Sequence, residues 1–163
     1  MNEAWVLNAS PIILFGRIDR LDLIDRLAPR LMIPDAVIDE IRGGRSEDVS
    51  ARIGLDFAEP YRAADLPVPH NIAHWDLGRG ETQVITQALD AAAWAVLDDL
   101  AARRCAATYN IPVIGSIGIL LRAKRKGILE NVAPWMMKLK AAGMYVDEML
   151  IQKVLADVGE QVR

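Results

Sequence analysis

The 163-residue chain carries 22 acidic and 19 basic residues, which gives a formal net charge of −3, and 52% of its residues are hydrophobic. This length indicates one domain, and this composition excludes a chain that is disordered throughout. The charge balance excludes a strong overall attraction to nucleic acid or to a membrane surface, so a nucleic-acid function would need a local basic patch.

Short apolar runs alternate with helical patterns along the first half of the chain, which is typical of β-α-β units. Residues 5–7 form a strand candidate that Asn8 ends, and Ser10-Pro11 predicts the N-cap and first position of a helix that stops at Gly16. The elements expected next are a helix over 20–27, a strand over 31–33, helices over 35–41 and 46–57, and loop or short strand over 59–76.

The second half continues the alternation. The expected elements are a helix over 81–92, a strand over 94–97, a helix over 100–109, a strand over 112–114, and helices over 116–126, 132–142 and 146–158. Together they predict a three-layer α/β/α fold with a short parallel sheet of four or five strands and extra C-terminal helices. We expect a single domain over 1–163, with its core at about 4–127 and a helical extension at about 128–163.

The sequence also predicts a cytoplasmic protein without a membrane segment. Its single cysteine excludes an intramolecular disulfide, which fits a reducing compartment. The N-terminal residues lack the basic segment of a signal peptide. No run reaches the roughly 18–20 apolar residues of a membrane helix.

Polar residues follow the predicted strands at the edge where an open parallel sheet binds its ligands. Asn8 follows the first strand, and Asp98 and Asp99 follow the strand over 94–97. Glu40 ends one helix and Glu81 begins another, each next to a strand of the same sheet. Because these elements share one edge, we expect the five side chains to face one cleft.

Clustered carboxylates repel one another, so a shared cleft indicates a bound cation. Hard oxygen ligands suit Mg²⁺ or Mn²⁺, and such an ion can orient a water and offset charge on a phosphodiester. The alternative is structural, because acids are favoured at helix N-termini and caps, where Glu81 and Asp99 lie.

Four segments together resemble the motifs of the PIN-domain superfamily, in the branch of ribonuclease toxins from bacterial and archaeal toxin–antitoxin pairs. The first is Asn8-Ala9-Ser10-Pro11-Ile12-Ile13, similar to a signature of Asp or Asn, Thr or Ala, Ser, Pro, Leu or Ile, and Ile. The others cover 33–41, 77–85, and 97–104 with 111–116. The resemblance extends from about 5 to 126, and the C-terminal helices are typical of the branch.

The resemblance implies a Mg²⁺- or Mn²⁺-dependent endoribonuclease that acts on RNA, forms a homodimer and is held by an antitoxin protein. The family's acidic positions fall on Asn8, Glu40, Glu81 and one of Asp98 and Asp99, with Asp99 favoured. All five residues are therefore candidate metal ligands, and the four acids are candidate catalytic residues.

Two positions of the first motif bear on the metal. Ser10 matches a small hydroxyl residue that lies beside the metal in many members. Asn8 departs from the more common Asp and removes one negative charge, which predicts weak Mg²⁺ binding and a preference for Mn²⁺. Catalysis is therefore open to an alternative, a catalytically weak PIN-like module that binds RNA or protein. A phosphatase- or receiver-like domain would need Asp at this position.

Basic and apolar residues suggest the partners' contacts. The candidates for the RNA backbone are Arg103, Arg104, Arg122, Lys124 and Arg125, and a solvated helix end is the alternative. The expected dimer buries apolar residues of the early helices, such as Ile12, Ile13, Leu23 and Leu27, or the Met-rich C-terminal helices.

Overall fold

The computed structural model describes residues 3–44 and 49–161, which form five strands and ten helices. The strands are β1 (Ala4–Leu7), β2 (Arg30–Pro34), β3 (Arg62–Ala63), β4 (Trp94–Val96) and β5 (Val113–Ile114). The helices are α1 (Ala9–Arg17), α2 (Leu21–Leu27), α3 (Asp35–Gly43), α4 (Val49–Ala58), α5 (His70–Ala73), α6 (Arg79–Ala91), α7 (Leu100–Thr108), α8 (Ser116–Arg125), α9 (Ala133–Ala141) and α10 (Glu148–Asp157). A 3₁₀ turn covers Glu59–Tyr61.

The strands form one parallel sheet in the order β3-β2-β1-β4-β5. The chain runs outward from β1 to β3 on one side and then returns to place β4 on the other side of β1. This reversal opens a crevice between β1 and β4 at their carboxyl ends, where open α/β sheets bind ligands. Asn8 follows β1 at this crevice, and its backbone N–H donates to Val96 O at 3.2 Å. The predicted parallel sheet of four or five strands is therefore confirmed, and the observed number is five.

The core explains why β1 reads as an uninterrupted apolar run. All four of its residues are buried, and Trp5, Val6 and Leu7 are fully enclosed. A strand that is covered by helices on both faces needs apolar side chains on both, whereas a half-exposed strand would alternate. Burial of each large side chain stabilises the fold by about 1.5–3 kcal/mol. The three-layer α/β prediction is confirmed.

The prediction that Ser10 caps α1 is wrong. The helix begins two residues earlier, with Asn8 at the N-cap position and no side-chain capping bond, and it continues through Gly16 to Arg17. Pro11 is tolerated in the third helical position because the N–H groups of the first turn have no partner within the helix. As a result Asn8 and Ser10 keep their side chains for contacts with other elements.

The segment over 59–76, expected as loop or short strand, contains β3 and the short helix α5. Two glutamines of α6 fix the chain after β3. Gln83 accepts from Leu66 N–H at 2.9 Å and donates to Leu66 O at 2.8 Å, and Gln87 donates to Ala64 O at 3.1 Å. Hydrogen bonds to glutamine side chains thus take the place of strand-to-strand backbone bonds at Ala64 and Leu66. The predicted helix over 46–57 is observed from Val49, and 46–48 lie outside the described residues.

Two of the apolar residues expected at a dimer interface belong to the protomer core instead. Ile12 and Leu23 are fully buried, so that part of the prediction is wrong. Ile13 and Leu27 are partly buried against the same core. Within 3–44 and 49–161, no helix has both the length and the apolar character needed to span a bilayer.

Candidate functional site

Asn8 lies at the base of the crevice between β1 and β4. It is only 3% exposed, and its Nδ2 donates to Glu81 Oε1 at 3.3 Å. Its Oδ1 is buried without a hydrogen-bond partner among the described residues. Because buried polar atoms are nearly always paired, this carbonyl oxygen is the first indication of a ligand at this position.

Glycines make room for Glu81, which contacts Asn8, and for Glu40. Gly80 N–H donates to Glu40 Oε1 at 2.9 Å, which joins α3 to the first turn of α6. A Cβ at Gly80 would lie 2.8 Å from Glu40 Cδ, and one at Gly78 would lie 2.5 Å from Glu81 Oε2. Both distances are shorter than ordinary contacts, so the Gly-x-Gly-Glu spacing is what lets the carboxylates lie against this helix end.

The two glutamates interact electrically as well. Burial raises the pKa of Glu40 above its ordinary value, and the nearby charge of Glu81 raises it further. The Gly80 N–H and the Arg79 guanidinium act in the opposite direction without cancelling the rise. Ionisation of Glu40 is therefore disfavoured, and a cation beside its carboxylate would relieve this.

Asp98 is held by two serines from different helices. Ser116 donates its backbone N–H to Oδ1 at 2.7 Å and its hydroxyl to Oδ2 at 2.6 Å. Ser10 donates its hydroxyl to Oδ2 at 3.5 Å. Hydrogen bonds from two helices fix the direction of this carboxylate. Asp98 is thus tied to the same helix that Asn8 begins.

Asp99 has a different place. It is exposed, and its Oδ2 accepts from Ala102 N–H at 2.9 Å, which makes it the N-cap of α7. Asp98 therefore contacts Ser10 and Ser116, whereas Asp99 caps α7, and the choice between them as metal ligand stays a prediction.

The predicted basic residues separate into two groups. Arg103 donates to Leu97 O at 3.0 Å, and Arg122 lies over the Trp94 ring at 4.5 Å, with Arg125 one helical turn further along α8. Lys124 is engaged elsewhere, since its Nζ lies 2.5 Å from Glu160 Oε2.

Arg104 is exposed on α7 and does not share a cavity with the other arginines. Only part of the predicted basic set therefore lies together.

The expected acids fall into two neighbouring groups. Asn8, Glu40 and Glu81 form one, and Asp98 with its serines forms the other, linked through the two-residue step from Asn8 to Ser10. Across 3–44 and 49–161, no three His, Cys, Asp or Glu side chains lie in a geometry that could hold a metal. The donor set is nevertheless of hard oxygens, with one unpartnered amide carbonyl and two repelling carboxylates, which fits Mg²⁺ or Mn²⁺.

The comparison with known families agrees with this geometry. A family profile described as a PIN domain matches residues 4–160, nearly the whole chain. The chain belongs to the PIN-domain family. PIN domains are generally dependent on divalent metals, and the fold is that of a nuclease. No curated protein matches the chain significantly.

Three residues of this PIN domain's site were not predicted. Gly78 and Gly80 create space for carboxylates, and Ser116 orients Asp98. Ser116 follows β5 as Asn8 follows β1, so its position at a strand end was a usable signal. The glycines carry no such signal, because a glycine before a helix more often reflects capping than a need for space.

Proposed function

We propose that this PIN domain is an endoribonuclease that depends on Mg²⁺ or Mn²⁺. One observation carries the proposal: a buried amide, Asn8, contacts Glu81 and leaves its carbonyl oxygen unpartnered at the crevice where β1 and β4 diverge. Glu40 lies beside Glu81. Asp98 accepts a hydrogen bond from Ser10 on α1, the helix that begins directly after Asn8. This arrangement supports phosphodiester hydrolysis.

The residues that would hold the ion are Asn8 through Oδ1, Glu40 and Glu81, with Asp98 nearby. When bound, a divalent ion supplies an activated water and offsets negative charge on the phosphodiester. The protein's own part is orientation. Ser116 and Ser10 fix the direction of the Asp98 carboxylate, and Gly80 N–H fixes Glu40.

We further propose that the chain is the toxin of a toxin–antitoxin pair, acts in the cytoplasm as a homodimer and is restrained by an antitoxin protein. The motif that begins at Asn8 supports this finer assignment, because Asn-Ala-Ser-Pro-Ile-Ile fits the signature of the toxin branch that the motifs resemble. Of the apolar residues predicted for a dimer interface, Ile12 and Leu23 are buried. Met137 and Met149 on the C-terminal helices are exposed and can contact a second copy.

A second candidate function is a PIN-like module that binds RNA or protein without cleaving it. The hydrogen bond from Asn8 to Glu81 favours it, because an amide donor satisfies the glutamate without any cation. Three separated acids also bind a cation less tightly than four clustered ones.

The experiment uses two adjacent aspartates as a matched pair. We expect the natural chain to cleave single-stranded or structured RNA with Mn²⁺ and not with EDTA, and Asp98→Asn to lower the rate at least about a hundred-fold, as loss of a fixed electrostatic group does. Asp99→Asn should retain cleavage, because Asn also caps helices.

Calorimetry with Mn²⁺ on the same proteins tests the ion directly. Equal loss of cleavage in both variants would refute the distinction between Asp98 and Asp99. RNA binding without cleavage under any divalent ion would leave the binding module as the better function.

A further inference from the structure

A groove of about 580 Å³ lies beside Asp98, on the side of the sheet where β5 forms the edge. One wall is the first residues after β5 and the outer face of α8, and the other is the segment over 144–154. Asn8, Glu40 and Glu81 do not line it. The groove therefore leads away from the carboxylates and meets them only at Asp98.

The charged lining of this groove is mainly cationic. Arg103, Arg122 and Arg125 line it, and Asp98 is the one acid in the lining. The chain as a whole has a net charge of −3, so the three guanidiniums are a local reversal of sign. An anionic ligand is the complement of such a surface, and guanidinium is the side chain best suited to phosphate.

The cations lie at the two ends of α8: Arg103 Nη1 lies against Gly115 at its N-cap, and Arg122 and Arg125 are in its last turn. Gly118, Leu121, Arg122 and Arg125 line the groove at helical spacing from the end that touches Asp98 to the last turn. Ten helical residues span about 15 Å, which is the length of a short single-stranded segment rather than of one phosphate. The track begins where Ser116 binds Asp98 and ends in the most basic turn of the chain.

Two of the arginines are fixed in place and one is free to adapt. Arg122 lies 4.5 Å from the Trp94 ring centroid and 3.3 Å from Glu3 Oε1, and Arg103 is held by Leu97 O. Arg125 is exposed, and no ion pair is recorded for it in the part of the chain that the structure describes. Preorganised cations bind phosphate with less loss of side-chain freedom.

Exposed apolar residues complete the groove. The Tyr145 ring is 100% exposed and Leu100, directly after Asp99, is 60% exposed. Both line the same groove as the arginines. Aromatic faces beside a basic track are the means by which proteins hold single-stranded nucleic acid without reading its sequence.

We propose that this groove binds the single-stranded RNA that flanks the cleaved phosphodiester, with backbone phosphates on Arg103, Arg122 and Arg125 and one base stacked on Tyr145. This inference rests on the proposed function, because it places the substrate of the same site. It also divides the basic residues, since neither Lys124 nor Arg104 lines the groove.

The test measures binding of a fluorescein-labelled single-stranded RNA oligonucleotide by anisotropy in EDTA, which prevents cleavage. Arg125→Ala and Arg104→Ala form a matched pair, because both remove an exposed helical arginine. Loss of one phosphate contact lowers the salt slope by about 0.7 and the affinity about five-fold at 0.1 M salt. We expect this for Arg125→Ala and no change for Arg104→Ala.

A second pair tests stacking. Tyr145→Ala should weaken binding by roughly five-fold or more, and Tyr145→Phe, which keeps the ring, should bind like the natural chain. Equal effects within either pair would overturn the groove assignment. The assignment would also be overturned if these variants bound RNA like the natural chain but had a different molar mass by light scattering. That result would identify the groove as an interface between copies of the chain.

Cleavage with Mn²⁺, measured on the same variants, separates this inference from the proposed function. Cleavage of RNA without a selective effect of Arg125 would refute the groove alone. Selective binding through Arg125 with no cleavage under Mn²⁺ would refute the nuclease and leave the groove as an RNA site.

Discussion

Replacement of Asn8 by aspartate should make the stability of the protein depend more strongly on a divalent cation. The amide donates to Glu81 from a position that is 3% exposed. A carboxylate there loses this hydrogen bond and places a second negative charge against Glu81, with the repelling charge of Glu40 beyond. The same carboxylate adds the negative charge that a divalent ion requires.

The expected size follows from burial. Breaking a hydrogen bond to a charged group costs about 1.5–3 kcal/mol, and an uncompensated buried charge costs about 3–5 kcal/mol. Because the crevice is open at Glu40, which is exposed, we take the lower end, about 3 kcal/mol for Asn8→Asp without metal. In a chain of this length each kcal/mol shifts Tm by about 2–4 °C, so the Tm should fall by about 6–12 °C.

Thermal unfolding in EDTA and in a Mn²⁺ series measures both effects. The variant should be less stable than the natural chain in EDTA and should gain more stability from Mn²⁺, since a ligand at 100 times its Kd adds about 2.7 kcal/mol. Asn71→Asp makes the same change at an exposed position and should alter stability by less than about 0.5 kcal/mol. An Asn8→Asp protein with unchanged stability in EDTA, or with no larger response to Mn²⁺, would refute the proposed role of Asn8.

Three further changes probe the same fold. Glu40→Gln removes a carboxyl whose pKa is raised, so the natural chain loses stability relative to the variant as pH rises above about 4.5. Thermal melts from pH 4 to 8 should therefore show a higher Tm for the variant above that pH. The variant should no longer cleave RNA. Gly80→Ala suits the helix but displaces Glu40, so calorimetry should find unchanged or higher stability beside a rate about a hundred-fold lower. Glu160 is desolvated, yet Lys124 and the N–H groups of Ala133 and Val132 lower its pKa overall. The stability that it contributes is therefore complete above pH 4.5 and lost as pH falls below that value. Denaturant melts should accordingly show Glu160→Gln to be less stable than the exposed control Glu130→Gln only above pH 4.5.

The sequence predicted the sheet and the general place of the site because both depend on local patterns. Apolar runs such as 5–7 and 94–97 are buried on both faces, and the residue after each lies at the same sheet edge by topology alone. That rule predicts that Asn8, Asp98 and Asp99 lie at one edge of the sheet. The second half of the chain was predicted to within two residues at most helix ends.

What the sequence could not provide was the direction of individual side chains. Asp98 and Asp99 are adjacent and chemically identical, and only the serine from α8, 18 residues away, separates an oriented carboxylate from a helix cap. The Ser10-Pro11 pair predicts an N-cap, but the Ser10 hydroxyl instead donates a hydrogen bond to Asp98, which lies on another element. The stretch over 64–66 was unreadable because glutamine side chains, not strand pairing, fix it.

The case for a cation depends finally on one oxygen atom. An amide buried only to hold Glu81 needs just its Nδ2, and its Oδ1 would then be an acceptor without a partner at a cost of about 1–3 kcal/mol. Gln87 Oε1 is also buried without a partner among the described residues, and what distinguishes Asn8 Oδ1 is that its residue contacts Glu81 at the carboxyl end of β1. The unpartnered oxygen occurs next to two carboxylates that repel each other, and a hard cation would satisfy all three. A binding module has no such use for the pair, so the position of Asn8 Oδ1 favours the nuclease.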